Sequence, residues 1–198
     1  FPILVGSFFQ QLYNTVDSVI VGQFVGKEAL SSVGGSAGQI ISLVVGFFTG
    51  VSTGATVIIS QYFGAGKKEE IEESLHTAYA FALVGGLVLG IAGIVFAPQM
   101  LRWMNTPEEL IAESVLYVRV YFSGLIFIFI YNMGAAILRA VGDSKRPLYY
   151  LIVCSVVNII LDLLLILVIP LGVLGAAIAT LIAQAVSAVL VTVTPVSY

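Results

Sequence analysis

Six apolar stretches, each about as long as a membrane is thick, constrain this chain more than any other feature of its sequence. The hydrocarbon core of a bilayer is roughly 30 Å thick, so a helix needs about 20 apolar residues to cross it. Polar breaks rich in glycine, proline and charge separate the stretches, which lie near residues 1–24, 30–63, 74–97, 113–139, 148–169 and 173–194. The sequence therefore predicts an all-α integral membrane protein, with six transmembrane helices in a single membrane domain over residues 1–198.

Charge is scarce and confined mostly to the predicted loops. The chain is 59% hydrophobic and 10% charged, with a net charge of −3 and no basic stripe, which excludes nucleic-acid binding. Short cytoplasmic loops collect Lys and Arg. Five basic residues lie in or beside the second and fourth loops and three lie on the opposite side, which predicts cytoplasmic termini.

Two aspartates, Asp17 and Asp162, lie inside these apolar stretches. An ionisable group at such a depth is costly, so it usually faces the protein interior, a water-filled path or a partner. Each aspartate ends a polar stripe whose spacing of three or four residues keeps it on one helix face. The stripes are Gln10, Tyr13, Asn14 and Asp17 in the first span, Ser155, Asn158 and Asp162 in the fifth, and Thr180, Gln184 and Ser187 in the sixth.

The stripes are predicted to meet at one depth. At 1.5 Å per residue, Asp17 and Asp162 each lie about 5 to 6 Å past the midpoint of their helix. The sixth span runs in the opposite direction, and Thr180 precedes its midpoint by a similar distance. All three side chains should therefore lie at the same level of the membrane.

Carboxylates, an amide carbonyl and a hydroxyl are hard oxygen ligands for a small cation, whereas two close carboxyl groups alone would share a proton. We therefore expect Asp17, Asn158, Asp162 and Thr180 to bind H⁺ or Na⁺. The alternative, that polar groups only bond neighbouring helices and fix their packing, stays open for the uncharged Tyr13, Asn14, Thr180 and Gln184.

Two further classes of site were considered. A pair of intramembrane aspartates could be the dyad of an intramembrane aspartyl protease, but the Tyr-Asp and Gly-x-Gly-Asp contexts are missing around Asp17 and Asp162. The glycine-rich loop at Gly64 departs from the Walker pattern, with Gln61 and Lys68 at two of its required positions. With no cluster of Cys and His either, the sequence predicts a protein that is not an enzyme and uses no cofactor.

Glycines recur every four residues in two spans, at Gly46, Gly50 and Gly54 and again at Gly86 and Gly90. This small-xxx-small spacing lets helix backbones approach closely, so it predicts a compact bundle. In the fourth span, Tyr117 and Asn132 fall loosely on one face among several aromatic residues. Such rings anchor helices at the membrane interface or bind flat cations, and both interpretations stay open.

Several of these motifs together resemble the N-terminal half of the multidrug and toxic compound extrusion (MATE) family of secondary transporters. The resemblance covers essentially the whole chain. It rests on Gln10-Gln11-Leu12-Tyr13, Val16-Asp17-Ser18, Ser60-Gln61-Tyr62-Phe63-Gly64-Ala65-Gly66, Leu138-Arg139-Ala140-Val141-Gly142-Asp143-Ser144-Lys145-Arg146-Pro147, and Asn158 with Asp162.

The resemblance implies twelve helices in two pseudo-symmetric lobes, of which this chain would be one. It implies export of cationic or polyaromatic compounds in exchange for H⁺ or Na⁺ across the inner membrane of a bacterium or archaeon. Asp17, Asn158, Asp162 and Thr180 match the family's cation site. The stripe residues Gln10, Tyr13 and Asn14 are expected to line the substrate cavity with Tyr117 and Asn132.

Transport by alternating access needs a second lobe, so the resemblance implies a partner, either the missing C-terminal lobe or a second half. A lipid-linked precursor flippase of the same superfamily is the alternative, and it should line its cavity with basic residues. The predicted cavity faces carry acids and neither Lys nor Arg, which favours cationic substrates.

Overall fold

The computed structural model describes residues 2–195, and in that range the chain is helical and has no strand. This confirms the all-α prediction. The helices are α1 Pro2–Ile20, α2 Lys27–Gly34, α3 Ser36–Gly64, α4 Lys68–Trp103, α5 Glu108–Ser123, α6 Leu125–Ala140, α7 Lys145–Asp162 and α8 Val173–Thr192. Residues 1 and 196–198 of the predicted domain lie outside the described range.

Five of the six predicted spans are apolar and long enough to cross a membrane. Four are continuous helical segments, namely Lys27–Gly64 (α2 with α3), Lys68–Trp103 (α4), Lys145–Val168 (α7 with the turn after it) and Val173–Thr192 (α8). The fifth is a bent pair made of α5 and α6. The first predicted span corresponds to α1 and the five-residue turn after it. Helix α1 carries Gln10, Gln11, Asn14 and Asp17, which lower its mean hydropathy.

Two of the predicted spans differ in detail from the helices that form them. The span near 113–139 is two helices, Glu108–Ser123 and Leu125–Ala140, which meet at an angle of 47°. The span near 74–97 is α4, whose 36 residues reach about 54 Å at 1.5 Å per residue. The acidic residues that precede residue 74 are helical, because negative charges are favourable in the first turns of a helix.

Helices α6 and α8 form the centre of the bundle. Along α6, the side chains from Met133 to Leu138 are buried, and α8 packs against α5, α6 and α7. The exterior is apolar instead of polar: Val84, Leu87 and Ile91 on α4 are all more than half exposed. An apolar outer surface around a small-residue core is what a lipid environment requires.

The glycine prediction holds for one helix and fails for the other. On α4, Gly86 and Gly90 are buried against the α5–α6 pair, where a Cβ atom at Gly86 would lie 2.7 Å from Ile126 Cα. On α3, a Cβ atom at Gly46, Gly50 or Gly54 would meet no neighbouring heavy atom within 4 Å. The spacing alone did not distinguish a covered glycine stripe from an open one.

Both aspartate-bearing helices change geometry close to the aspartate. Helix α1 passes into a π-helical turn at Val21–Val25, and α7 passes into one at Leu163–Val168. In these wider turns the backbone hydrogen bonds span five residues. Gly26 N donates to Val21 O at 3.1 Å, and Ile169 N donates to Leu164 O at 3.0 Å. Such turns inside α-helices are frequently found at functional sites.

Candidate functional site

A cavity of about 920 Å³ lies among α1, α2, α3 and the helices from α5 to α8. It falls in the size range of small-molecule sites. Most of the residues expected from the sequence line it, namely Gln10, Tyr13, Asn14, Asp17, Tyr117, Asn132 and Thr180. The two exceptions are Asn158 and Asp162, which are fully buried.

Asp162 is held by the amide of Asn158, one helical turn earlier on α7. When that amide is oriented to satisfy both of its ends, Asn158 Nδ2 donates to Asp162 Oδ2 at 2.8 Å and its carbonyl accepts from Thr180 N at 3.3 Å. The opposite orientation instead lets Nδ2 donate to Thr180 Oγ1 at 3.4 Å. The first is preferred because it leaves no donor facing a donor. Asn158 thus joins Asp162 on α7 to Thr180 on α8.

The carboxyl group of Asp17 lies beside that of Asp162, close enough for the two groups to interact directly. Within residues 2–195, Asp17 Oδ1 and Asp162 Oδ1 are both buried and neither accepts a hydrogen bond. Buried carboxylate oxygens are ordinarily paired, because an unpaired charge in the interior is strongly unfavourable. A proton or a cation between the two groups would satisfy both oxygens.

Tyrosine, threonine and asparagine side chains from several helices supply the other polar groups of the cavity. The rings of Tyr117 and Tyr121 lie 6.1 Å apart between centroids, at 39° to each other. The Tyr13 hydroxyl is near that of Thr180. Asn132 donates from Nδ2 to Ile128 O at 2.9 Å, so its amide nitrogen is occupied by its own helix.

The charge of the cavity is negative. Asp17 is the one acidic residue among the described lining residues, and none of them is Lys, Arg or His. The field inside such a cavity favours cations, and Tyr117 and Tyr121 offer ring faces to them.

One wall of the cavity was missed in the sequence. Gln39, Ser42 and Thr49 on α3 line it. Their spacing follows the same three-and-four rule that identified the other stripes, with Gly46 completing the row. These side chains carry no charge and lie beside the glycine row, which had been assigned to helix packing alone.

The fold and the cavity define a lobe of a multi-pass membrane transporter. The chain belongs to the MatE family, because the sequence profile of that family, described as MatE, matches residues 2–164. The relatives that the chain matches are transporters and not enzymes.

Two relatives illustrate the match. The chain is 35% identical to the probable multidrug resistance protein YoeA of Bacillus subtilis over 185 residues, which are 91% of this chain and 40% of YoeA. It is 33% identical to the probable multidrug resistance protein YpnP of the same organism, over 94% of this chain and 42% of YpnP. The chain thus spans about two fifths of the length of these relatives.

Solved structures of MATE transporters share this fold. An outward-facing multidrug resistance MATE transporter superposes with a TM-score of 0.91 at 28% identity, over 96% of this chain and 42% of that one. An inward-facing MATE transporter superposes with a TM-score of 0.86 at 28% identity, over 92% of this chain and 41% of that one. The described bundle is therefore the fold of one MATE lobe.

Proposed function

We propose that this chain is the cation-binding lobe of a secondary exporter, which exchanges H⁺ or Na⁺ for cationic or polyaromatic compounds. The coupling ion binds between Asp17 and Asp162, and Asn158 and Thr180 hold Asp162 in place. The observation that carries the proposal is the pair of buried, unsatisfied carboxyl oxygens, Oδ1 of Asp17 and Oδ1 of Asp162.

The exchange follows from electrostatics. Asp17 reaches both the central cavity and Asp162, so it can attract a cationic substrate or share the coupling ion. The neighbouring carboxylates of Asp17 and Asp162 repel each other when both are ionised, and a bound proton or Na⁺ reduces that repulsion. Loading the pair also weakens the attraction of the cavity for a cation, so drug release follows ion uptake.

The rest of the transport cycle lies outside this lobe. The chain matches about two fifths of each relative, and alternating access needs two lobes that move against each other. The proposal therefore includes a second lobe or a second copy of this chain. It also includes a cell inner membrane location with cytoplasmic termini, supported by the distribution of Lys and Arg in the loops.

Cavity charge argues against the related flippase function. A transporter of anionic lipid-linked precursors would need basic groups on its cavity wall to bind phosphate. Among the described lining residues the charged group is the carboxylate of Asp17.

The test is efflux of a cationic dye from proteoliposomes that contain the natural full-length protein, under a Na⁺ gradient or a H⁺ gradient alone. We expect Asp17→Asn and Asp162→Asn each to lower gradient-driven efflux at least tenfold. The matched control is Asp143→Asn, which changes the one other aspartate of the chain, in the α6–α7 loop. Unimpaired coupling in both site variants would falsify the assignment.

A further inference from the structure

Helix α4 contains a proline, Pro98, five residues before its last residue, Trp103. Because proline has no backbone N–H, the carbonyl of Ile94, four residues earlier in the sequence, loses its helical hydrogen-bond donor. Ile94 lies inside the apolar stretch of α4, where lipid offers no replacement and an unpaired carbonyl is costly. The backbone of α4 therefore needs a donor from a neighbouring helix at this position.

That donor is Arg119 on α5, whose Nε atom donates to Ile94 O at 3.2 Å. Arg119 is the one charged residue between Glu113 and Arg139, and an ionisable residue within a span is by default a candidate for binding substrate or ion. It is not among the described lining residues of the central cavity, and it forms no ion pair within residues 2–195. Its polar contact in the described range is therefore with the backbone of α4.

A close approach of α4 and α5 brings these two groups together. A Cβ atom at Gly90 would lie 3.0 Å from Phe122 O, and one at Gly93 would overlap the Phe122 ring. Phe122 lies about one turn beyond Arg119, and Gly93 directly precedes Ile94. Helix packing therefore places the guanidinium beside the open carbonyl, and it does so with contacts inside this lobe, whatever surface a second lobe covers.

A second open carbonyl lies at the junction of α2 and α3. The chain turns at Gly35, with ψ at −126°, and the helical hydrogen bond from Ser36 N to Ser32 O is not formed. Ser114 on α5 supplies the donor instead, with its Oγ atom 3.3 Å from Ser32 O, and both serines are buried. Val33, beside this junction, lines the central cavity. The contact therefore fixes part of the cavity wall.

We propose that α5 is a brace, which holds α4 and the α2–α3 junction in shape through Arg119 and Ser114. Each side chain replaces a backbone donor that the neighbouring span lacks. Membrane helices tolerate such interruptions where nearby groups satisfy the freed backbone, and an interrupted helix is otherwise prone to bend. The brace also fixes the cavity wall, because Tyr117 on α5 and Val33 on α2 both line the cavity. The proposal goes beyond the proposed function, since neither contact involves the cation site.

The first test is a double-mutant cycle at Arg119 and Pro98, measured by SDS titration of the natural full-length protein in mixed micelles. Arg119→Met removes the donor and keeps most of the side-chain length. We expect it to raise the unfolding equilibrium constant about tenfold, because a hydrogen bond from a charged group is lost. Pro98→Ala gives Ile94 O a backbone donor again, so in that background Arg119→Met should have less than about a twofold effect.

Two further variants separate the hydrogen bond from the charge. Arg102→Met removes an exposed positive charge from the last turn of α4 and should leave unfolding unchanged. Arg119→Lys keeps an N–H donor and should recover part of the loss. Efflux separates bracing from substrate binding, because Arg119→Met should not lower efflux further in the Pro98→Ala background. Lower efflux there, or equal destabilisation by Arg119→Met in both backgrounds, would overturn the proposal.

The second test uses Cys154, the one cysteine of this sequence, which lines the central cavity. Ser114→Ala removes the donor to Ser32 O, and the looser junction should raise the rate of Cys154 labelling by a maleimide roughly threefold or more, read from the labelled peptide by mass spectrometry. Ser123→Ala is the matched control, because Ser123 Oγ donates to Val120 O of its own helix at 2.6 Å.

An unchanged labelling rate in Ser114→Ala, or an equal rise in Ser123→Ala, would overturn the proposal. The SDS titration and the labelling rate need no ion gradient and no transport. A failure of the cation site would therefore leave both readouts intact, which separates the brace from the proposed function.

Discussion

Helices α3 and α4 carry glycines at the same four-residue spacing, but the two rows have opposite surroundings. On α4, Gly86 faces the backbone of Ile126, and Gly93, three residues beyond Gly90, faces the ring of Phe122, with no room for a side chain at either position. On α3, Gly46, Gly50 and Gly54 have nothing within 4 Å of a Cβ position. The same pattern thus marks a helix contact in one place and open space in the other.

The two helices differ in what occupies the space beside their glycines. On α4 the space is filled by the neighbouring helix pair, which approaches closely and gains dispersion contacts. On α3 the space belongs to two cavities, since Gly46 lines the central cavity and Gly54 lines a second cavity, between α3 and α4. Substitutions in the two rows should therefore have opposite consequences for folding.

Gly93→Ala should have the largest effect. The new methyl group would overlap the buried ring of Phe122, and overpacking of this kind costs about 3 kcal/mol. We expect a corresponding fall in the free energy of unfolding, measured by SDS titration in mixed micelles. Adding Phe122→Leu should recover part of the loss, and strictly additive losses in the double variant would contradict this packing explanation.

Gly86→Ala should destabilise the chain by a smaller amount. Its Cβ atom would lie 2.7 Å from Ile126 Cα, so α4 and α6 must separate slightly, at about 1 to 2 kcal/mol. The fraction of protein that stays monodisperse after heating in detergent measures the effect. If Gly86→Ala is as stable as the parent, the close approach of α4 and α6 is not present in solution.

Gly50→Ala should change stability least. Its site is open, and alanine has a higher helix propensity than glycine by about 1 kcal/mol. We expect no loss, and at most a small gain, in the same SDS titration. A loss as large as that of Gly86→Ala would show that another helix covers this face of α3 under the conditions of the measurement.

Much of the architecture could be read from the sequence. Length and apolarity identified the helical segments, because an apolar segment of about 20 residues that crosses a membrane as a helix satisfies all its backbone hydrogen bonds within itself. The pairing of Asp17 with Asp162 followed from depth, because helical rise is nearly constant and short loops fix the direction of each span. The roles of these residues in ion coupling remain predictions.

Other features depend on tertiary contacts. The bend at Gly124 leaves no trace in the hydropathy of the fourth span, and it is a packing feature in which a Cβ at Gly124 would lie 3.1 Å from Leu181 on α8. The α3 wall of the cavity was missed because Gln39, Ser42 and Thr49 are uncharged. A neutral polar row has the same pattern whether it faces a cavity or another helix.

The π-helical turns behind Asp17 and Asp162 each hold one residue more than an α turn does. In a regular α-helix, one added residue would rotate everything beyond it by roughly 100°. A π turn absorbs the added residue instead, so loss of a single residue from Leu163–Val168 would restore α geometry and leave the rest of the segment on nearly the same face. Relatives that lack one residue in either short segment should therefore keep the same helix packing and lose only the widened backbone beside the aspartate.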